Sequence, residues 1–184
     1  MPMIIRDATQ ADLSAITEIY AESVNNGVAT YELEPPSIME MTARFGVVTG
    51  NRYPYIVAEH DGTILGYAYA GPFRTRPAYN WICEDSIYLA PEARGKGVGS
   101  ALLSELLARC EALGFRQMIA VIGGAHPASV AVHAKAGFEH QGTLKATGYK
   151  HGRWLDTTFM EKALGEGSTT DPDTRTYPGT LYRA

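Results

Sequence analysis

The sequence of 184 residues predicts an α/β domain, and three observations support this prediction. Runs rich in β-branched and aromatic residues alternate along the chain with segments whose apolar residues recur at helical spacing. A glycine-rich turn at residues 94–99 joins an apolar strand to the beginning of a helix. The contents of hydrophobic (45%) and charged (20%) residues are ordinary for a globular protein, and the length fits one domain.

The N-terminal part is predicted to contain a strand at residues 3–6 and two helices. Thr9 or Asp12 is a suitable N-cap for the first helix. Its apolar residues lie at helical spacing, at Leu13, Ile16, Ile19, Tyr20 and Val24. The sequence Asn-Asn-Gly at residues 25–27 ends this helix, and a loop with two prolines precedes a second helix at residues 38–48.

Three strands are predicted in the middle of the chain. Residues 55–58 and 64–70 are β-rich and flank an Asp-Gly turn at residues 61–62, which is typical of a hairpin. A basic and aromatic segment, residues 73–79, follows the second strand. It leads to a third strand at about residues 81–89.

The alternation continues in the C-terminal half. A helix at residues 98–113 has leucines along one side and Gly114 as its expected C-cap. A buried strand at residues 117–122 and a short helix at residues 127–136 follow it. Residues 138–162 contain the last strands, joined by a polar hairpin.

The composition changes at residue 165, after which Gly, Ser, Thr, Asp and Pro are frequent. We therefore predict one folded domain at residues 1–164 and an irregular tail at residues 165–184. The net charge of −4 gives no support for nucleic-acid or anionic-membrane binding, and the N-terminus has no signal-peptide pattern. Without a long apolar run or a metal-ligand spacing of His and Cys, we expect a cytoplasmic protein that binds no metal.

The turn at residues 94–99, with the sequence Arg-Gly-Lys-Gly-Val-Gly, is the most informative motif. Glycines let backbone N–H groups point outwards, and a helix N-terminus favours negative charge, so the turn predicts a phosphate-bearing ligand. It is not a dinucleotide fingerprint, because Ser100 replaces the third glycine, and Lys96 does not fit the Walker pattern. A glycine-rich helix entry without a ligand is the alternative.

This strand and turn, together with the helix that ends in Gly-Phe at residues 137–138, resemble the GNAT superfamily of N-acetyltransferases over residues 3–163. The resemblance implies the GNAT fold, in which helices cover both faces of a mixed central sheet. It also implies acetyl-CoA as co-substrate, with its pyrophosphate at the turn and its pantetheine arm along the strand and the late helix. The implied cofactor-binding residues are Ile87, Tyr88, Leu89, Arg94, Gly95, Lys96, Gly97, Val98, Gly99, His126 and Ser129.

Within this superfamily the chain resembles the phosphinothricin and methionine sulfoximine acetyltransferases, which acetylate the α-amino group of small amino-acid analogues. The resemblance implies a homodimer. One departure is His126, which stands where the subfamily commonly has Asn, so its role is open. The segments that carry the resemblance are residues 29–32, 69–74, 78–81 with Glu84, and 148–156.

Direct acetyl transfer requires a neutral amine, so a nearby group must accept a proton. Glu84 is the predicted base, because it precedes the turn and matches the subfamily's proposed base. Burial must then raise its pKa from about 4.3 towards about 6 to 7. His133 matches a subfamily histidine and is the second catalytic candidate. The alternatives are an ion-paired strand residue for Glu84 and a satisfied core histidine for His133. A covalent route through Cys83 is disfavoured, because the sequence pairs no histidine with it.

Substrate binding is predicted to need cations for a carboxylate and for a phosphinate-like group. Arg74 and Arg76 suit this role, since guanidinium groups bind oxyanions through two hydrogen bonds, although a solvated surface pair is the alternative. Asp85 points away from Glu84 on a regular strand and is expected to be structural or at the rim of the substrate site. The predicted substrate-binding residues are Tyr31, Phe73, Arg74, Thr75, Arg76, Glu84, Asp85 and Ser86.

The sequence thus predicts acetyl transfer from acetyl-CoA to the α-amine of a small amino acid or analogue. Other enzymatic interpretations are acetylation of another small amine, such as a polyamine, or of a protein N-terminus. Two non-enzymatic interpretations also remain, a non-catalytic acyl-CoA sensor and an interaction domain with a structural glycine turn.

Overall fold

The computed structural model describes residues 2–176 and 178. Seven strands in this part of the chain form one sheet. They are β1 (Ile4–Asp7), β2 (Tyr55–His60), β3 (Thr63–Pro72), β4 (Ile82–Leu89), β5 (Gln117–Gly123), β6 (Glu139–Lys150) and β7 (Arg153–Ala163). Their spatial order is β1-β2-β3-β4-β5-β7-β6.

The sheet is mixed, as the family resemblance implies. Strands β4 and β5 run parallel, and the other described pairs of neighbouring strands are antiparallel. The hairpin between β2 and β3 turns at Asp61 and Gly62, both of which have positive φ angles. This left-handed backbone explains why the Asp-Gly sequence indicated a turn there.

In the described part of the chain, four α-helices cover both faces of the sheet, and this prediction is confirmed. They are α1 (Leu13–Asn26), α2 (Ile38–Gly50), α3 (Val98–Leu113) and α4 (Pro127–Lys135). Tyr20 of α1 packs edge-on against Tyr88 of β4, whereas Gly99 of α3 lies against the next strand residue, Leu89. None of the helices in the described residues is long and apolar enough to cross a membrane.

The two faces have different cores. Tyrosines from three strands stack on the α1 side, with ring centroids 5.7 Å apart for Tyr55 and Tyr67 and 5.3 Å apart for Tyr67 and Tyr88. On the other side, Leu102, Leu103 and Leu106 of α3 and the two cysteines are fully buried. Burying a leucine side chain contributes about 1.5 to 3 kcal/mol, so α3 anchors the turn that precedes it.

The predicted elements agree with the structure except at a few boundaries. Helix α2 continues to Gly50, and β4 begins at Ile82 because residues 77–79 form a 3-10 helix. Gly114 caps α3 with a φ angle of 96°. In the predicted tail, residues 165–176 contain turns but no helix or strand.

The beginning of this tail contacts the domain. The Arg116 guanidinium donates hydrogen bonds to the Gly167 and Asp171 carbonyl oxygens and to the Thr170 hydroxyl. Leu164, just before the tail, is buried. Residues 177 and 179–184 of the predicted tail lie outside the described residues.

Candidate active site

Strands β4 and β5 separate in the middle of the sheet. Their pairing ends at Asp85 and Ala120, after which β4 pairs with β3 alone as far as Leu89. Strand β5 continues to Gly123 beside β7. One edge of residues 86–89 therefore faces an opening, where its backbone N–H and C=O groups can bond an extended ligand as an added strand would.

The glycine turn lies beyond the end of β4. Gly95 and Gly97 have φ angles of 72° and 83°, and a Cβ atom at either position would meet no atom within 4 Å. Gly97 is the N-cap of α3, so the N–H groups of the first helical turn point out of the chain here. Open space, backbone donors and the positive end of a helix dipole together fit a pyrophosphate.

The side chains of the turn contribute less than its backbone. Arg94 forms an ion pair with Glu22 of α1, so this predicted cofactor ligand is already engaged. Val98 is buried, and Gly99 allows α3 to pack closely on Leu89, whose Cδ1 atom lies 3.4 Å from the position of an added Cβ. Lys96 is exposed.

The first turn of α4 contains the other two predicted cofactor ligands. His126 is the N-cap residue and is exposed, and Pro127 begins the helix. Ser129 is half-buried, and its hydroxyl lies 3.5 Å from Nδ1 of His133.

A cavity of about 230 Å³ adjoins β4 on the α2 side of the sheet. Glu84 and Ser86 project into it, because they alternate along β4, and their partners across β3 are Gly71 and Tyr69. The Tyr69 side chain hydrogen-bonds Ser86. The residues that line the cavity are Val47, Val48, Tyr53, Tyr69, Gly71, Pro72, Glu84 and Ser86.

The pKa of Glu84 is raised to about 7, and burial of the carboxylate is the largest cause. The negative charge of Asp85 contributes to this rise, and the positive charge of Arg74 opposes it. The predicted elevation of the Glu84 pKa is thus present, and its main cause is the predicted one. A carboxylate with such a pKa can accept a proton near neutral pH.

The two predicted substrate arginines lie on the exposed loop between β3 and β4. The Arg74 guanidinium stacks over the Phe73 ring, 4.8 Å from its centroid, and the Phe73 ring contacts Tyr79 edge-on. Thr75 and Arg76 are exposed. Among the described residues neither guanidinium forms an ion pair, so both charges remain available to an anion.

Tyr31 does not line the cavity around Glu84. Its hydroxyl donates to the Asp156 carbonyl oxygen at 2.8 Å and accepts from the Gly124 N–H at 3.1 Å. Its ring covers Gly148, where an added Cβ would lie 2.6 Å from a ring carbon. The tyrosine therefore fixes the loop between α1 and α2 to the ends of β5 and β7, and its hydroxyl is not free for a substrate.

The structure brings together two predicted site residues, the catalytic candidate His133 and Asp85, away from the cavity around Glu84. The two side chains are buried on the α4 side of the sheet, with His133 Nε2 3.0 Å from Asp85 Oδ2. His133 Nδ1 lies 2.8 Å from the Ser129 carbonyl oxygen. Both ring nitrogens are therefore engaged, and the Asp85 carboxylate faces His133 instead of the cavity.

Cys83 cannot carry an acetyl group in this structure. It is fully buried, and its thiol donates to the Gln117 carbonyl oxygen at 3.7 Å. Burial raises the pKa of this thiol well above its ordinary value, which removes the reactive thiolate. Within residues 2–176, no three His, Cys, Asp or Glu side chains are grouped to hold a metal ion.

Six cavity residues are absent from the sequence-based site: Val47, Val48, Tyr53, Tyr69, Gly71 and Pro72. Tyr69 could have been found from the hairpin register, which places it opposite Ser86. Val47 is exposed although it is apolar, but an exposed valine on a helix is too common to indicate a site.

An open strand edge, a glycine turn at a helix N-terminus and a buried carboxylate with a raised pKa together define an acyl-CoA-dependent transferase site. The sequence matches the family model for the acetyltransferase (GNAT) domain over residues 5–159. The chain belongs to this family, so the predicted family and fold are confirmed.

Several similar proteins in this family are named after their substrates. A phosphinothricin N-acetyltransferase from Alcaligenes faecalis is 48% identical over 170 residues, which cover 92% of this chain and 86% of that protein. An L-methionine sulfoximine/L-methionine sulfone acetyltransferase from Pseudomonas aeruginosa is 38% identical over 165 residues, covering 89% and 96% of the two chains. An L-amino acid N-acyltransferase from Escherichia coli is 36% identical over 171 residues, covering 93% and 98%.

A solved structure also resembles this chain closely. It is a GNAT superfamily phosphinothricin acetyltransferase from Sinorhizobium meliloti in complex with acetyl-CoA. The two proteins are 65% identical, the TM-score is 0.97, and the match covers 100% of both chains.

We predict that Gly97→Val weakens acetyl-CoA binding by about tenfold or more, because the side chain fills the space over the phosphate-binding N–H groups. Gly62→Val is the matched control: Gly62 has a φ angle of 78° and equally open space, but it lies in the β2–β3 hairpin. Both variants should lose similar stability. Calorimetric titration with acetyl-CoA measures the difference. Equal affinities of the two variants would refute the assignment of the turn.

Proposed function

We propose that this protein transfers the acetyl group of acetyl-CoA to the α-amino group of a small amino-acid analogue such as phosphinothricin or methionine sulfoximine. The observation that carries the proposal is the position of Glu84. Its buried carboxylate projects into a cavity beside the point where β4 leaves β5. The names of the similar proteins support this substrate class.

The main task of Glu84 is to take a proton from the substrate. A protonated amine has no lone pair for attack, and a base with a pKa of about 7 can accept the proton of an α-ammonium group near neutral pH. Acetyl-CoA supplies the acetyl group as a thioester, whose C–S bond breaks as the new C–N bond forms, and the departing thiolate takes the second proton that the nitrogen loses. An N–H group of residues 87–89 is placed to stabilise the developing negative charge on the carbonyl oxygen.

The arginine loop orients the substrate for this reaction. Arg74 and Arg76 lie on the loop that follows Pro72 of the cavity wall, and neither forms an ion pair among the described residues. Two such cations suit a ligand with two anionic groups, such as a carboxylate and a phosphinate. Arg74 is close enough to Glu84 to lower its pKa. The predicted arrangement places the acidic groups at the loop and the amine at Glu84.

We predict that Glu84→Gln lowers kcat about 100-fold or more, while the affinity for acetyl-CoA stays nearly unchanged. In the unmodified enzyme kcat should rise with pH through about 7, since Glu84 must lose its proton to act as the base. The variant should lack this acidic limb. A pH series of initial rates, with acetyl-CoA affinity measured separately, tests both statements.

The matched control is Glu139→Gln, which removes an exposed carboxylate from β6 and should leave the pH profile unchanged. An E84Q enzyme with the same acidic limb as the unmodified enzyme would show that another group is the base.

Thiol release from acetyl-CoA should depend on L-phosphinothricin or L-methionine sulfoximine and be slow with spermidine or with no amine. Arg74→Gln and Arg76→Gln should each raise KM for the amino-acid analogue about tenfold or more, because each removes a charged hydrogen-bond donor. Arg175→Gln, in the exposed tail, is the control. Turnover with spermidine alone, or unchanged KM values in both loop variants, would reject this substrate class.

We further propose a cytoplasmic homodimer that uses no metal and binds neither nucleic acid nor membrane. The net charge and composition support the latter statements. A candidate dimer surface is the β6–β7 hairpin, where Tyr149 and Trp154 are 59% and 67% exposed and their ring centroids lie 5.3 Å apart. Large exposed aromatic pairs are typical of protein interfaces. Sedimentation equilibrium should give the mass of two chains.

A further inference from the structure

The pair formed by Asp85 and His133 connects two elements of the site. Asp85 follows Glu84 on β4 and points to the opposite face, whereas His133 lies in the last turn of α4. The two residues are only 8% and 5% exposed. Their hydrogen bond therefore joins α4 to the strand that carries the proposed base.

The hydrogen-bond geometry determines where protons must be. His133 Nδ1 lies 2.8 Å from the Ser129 carbonyl oxygen, which can only accept, so Nδ1 carries a proton. His133 Nε2 lies 3.0 Å from Asp85 Oδ2, and two lone pairs would repel at that distance. A second proton therefore lies between the ring and the carboxylate, and the pair consists of an imidazolium and a carboxylate sharing this proton.

Few other groups can compensate these buried charges. Asp85 Oδ1 is buried and has no hydrogen-bond partner among the described residues. The neighbouring groups on this face are the Ser129 hydroxyl of α4, the edge-on ring of Phe138, and the thiols of Cys83 on β4 and Cys110 on α3. Lys162 of β7 approaches Gly137, just after α4.

We propose that Asp85 and His133 are positioning residues. The hydrogen bond in which they share a proton holds α4 against β4. The imidazolium also neutralises the Asp85 carboxylate, which lies on the opposite face of β4 from Glu84. This inference rests on the proposed function, because the pair affects catalysis only by acting on the proposed base, Glu84. On the cavity side, the charged and titratable groups near Glu84 are Arg74, Tyr69 and Tyr53.

The electrostatics agree with this geometry. Burial lowers the pKa of His133, but the hydrogen bond and charge of Asp85 outweigh it, so that the pKa is raised. The charge of Asp85 is the second cause, after burial, of the raised pKa of Glu84. Loss of the imidazolium leaves that charge uncompensated, so Glu84 should then hold its proton to higher pH.

The first test is a titration of the full chain by nitrogen NMR of its histidines. The His133 midpoint should lie above about 6.5, the value of a free histidine, and it should fall by about one pH unit or more in Asp85→Asn. Asparagine keeps the shape of the side chain and can donate to a neutral imidazole. A midpoint at or below about 6.5, or one that D85N does not move, would overturn the proposal.

The second test is the pH dependence of kcat. His133→Gln should move the acidic limb to higher pH by about half a unit or more, and the double variant H133Q/D85N should move it back. D85N alone should move the limb to lower pH, which keeps the test available if H133Q does not fold. A purely structural pair would lower kcat in H133Q without moving the limb, and that result would refute the proposal.

The two proposals fail in different ways. If Glu84→Gln leaves the acidic limb intact, then Glu84 is not the base and the proposed function of this residue is wrong. If E84Q removes the limb while H133Q and D85N leave it in place, only the role of the Asp85–His133 pair is wrong.

Discussion

The site depends on one feature of the sheet, the separation of β4 from β5 after Asp85 and Ala120. A continuous sheet would use all backbone hydrogen-bonding groups of β4 internally. Because β4 remains paired with β3, its last four residues keep their shape while one edge stays open. The opening leads directly to the glycine turn, so a single strand and the helix after it can hold both the extended arm and the phosphates of one ligand.

The alternation of side chains along β4 divides the chemistry between two faces. Glu84 faces the cavity below α2, where burial brings its pKa to about 7, and Asp85 faces α4, where His133 neutralises it. Two adjacent carboxylates thus occupy different environments, and only Glu84 borders the cavity. The cost of burying Asp85 is offset by a charged hydrogen bond, which also fixes the position of α4.

Local features of the fold and of the site could be predicted from the sequence. The glycine turn, the Asp-Gly hairpin and the alternation of Glu84 and Asp85 follow from backbone geometry over a few residues. The partner of Asp85 could not be predicted, since His133 lies 48 positions away and meets it only after α4 packs on the sheet. The cavity wall formed by Val47 and Val48, and the hydrogen bonds of the Tyr31 hydroxyl, depend likewise on tertiary packing.

Amide hydrogen exchange, with and without acetyl-CoA, tests most directly whether the open edge of β4 is the ligand site. Peptides that contain residues 86–89 and the turn at 94–99 should exchange more slowly when acetyl-CoA is bound, because their N–H groups gain partners. Peptides from β1, on the far edge of the sheet, should not change. Binding detected by calorimetry without slower exchange in β4 and the turn would contradict the account.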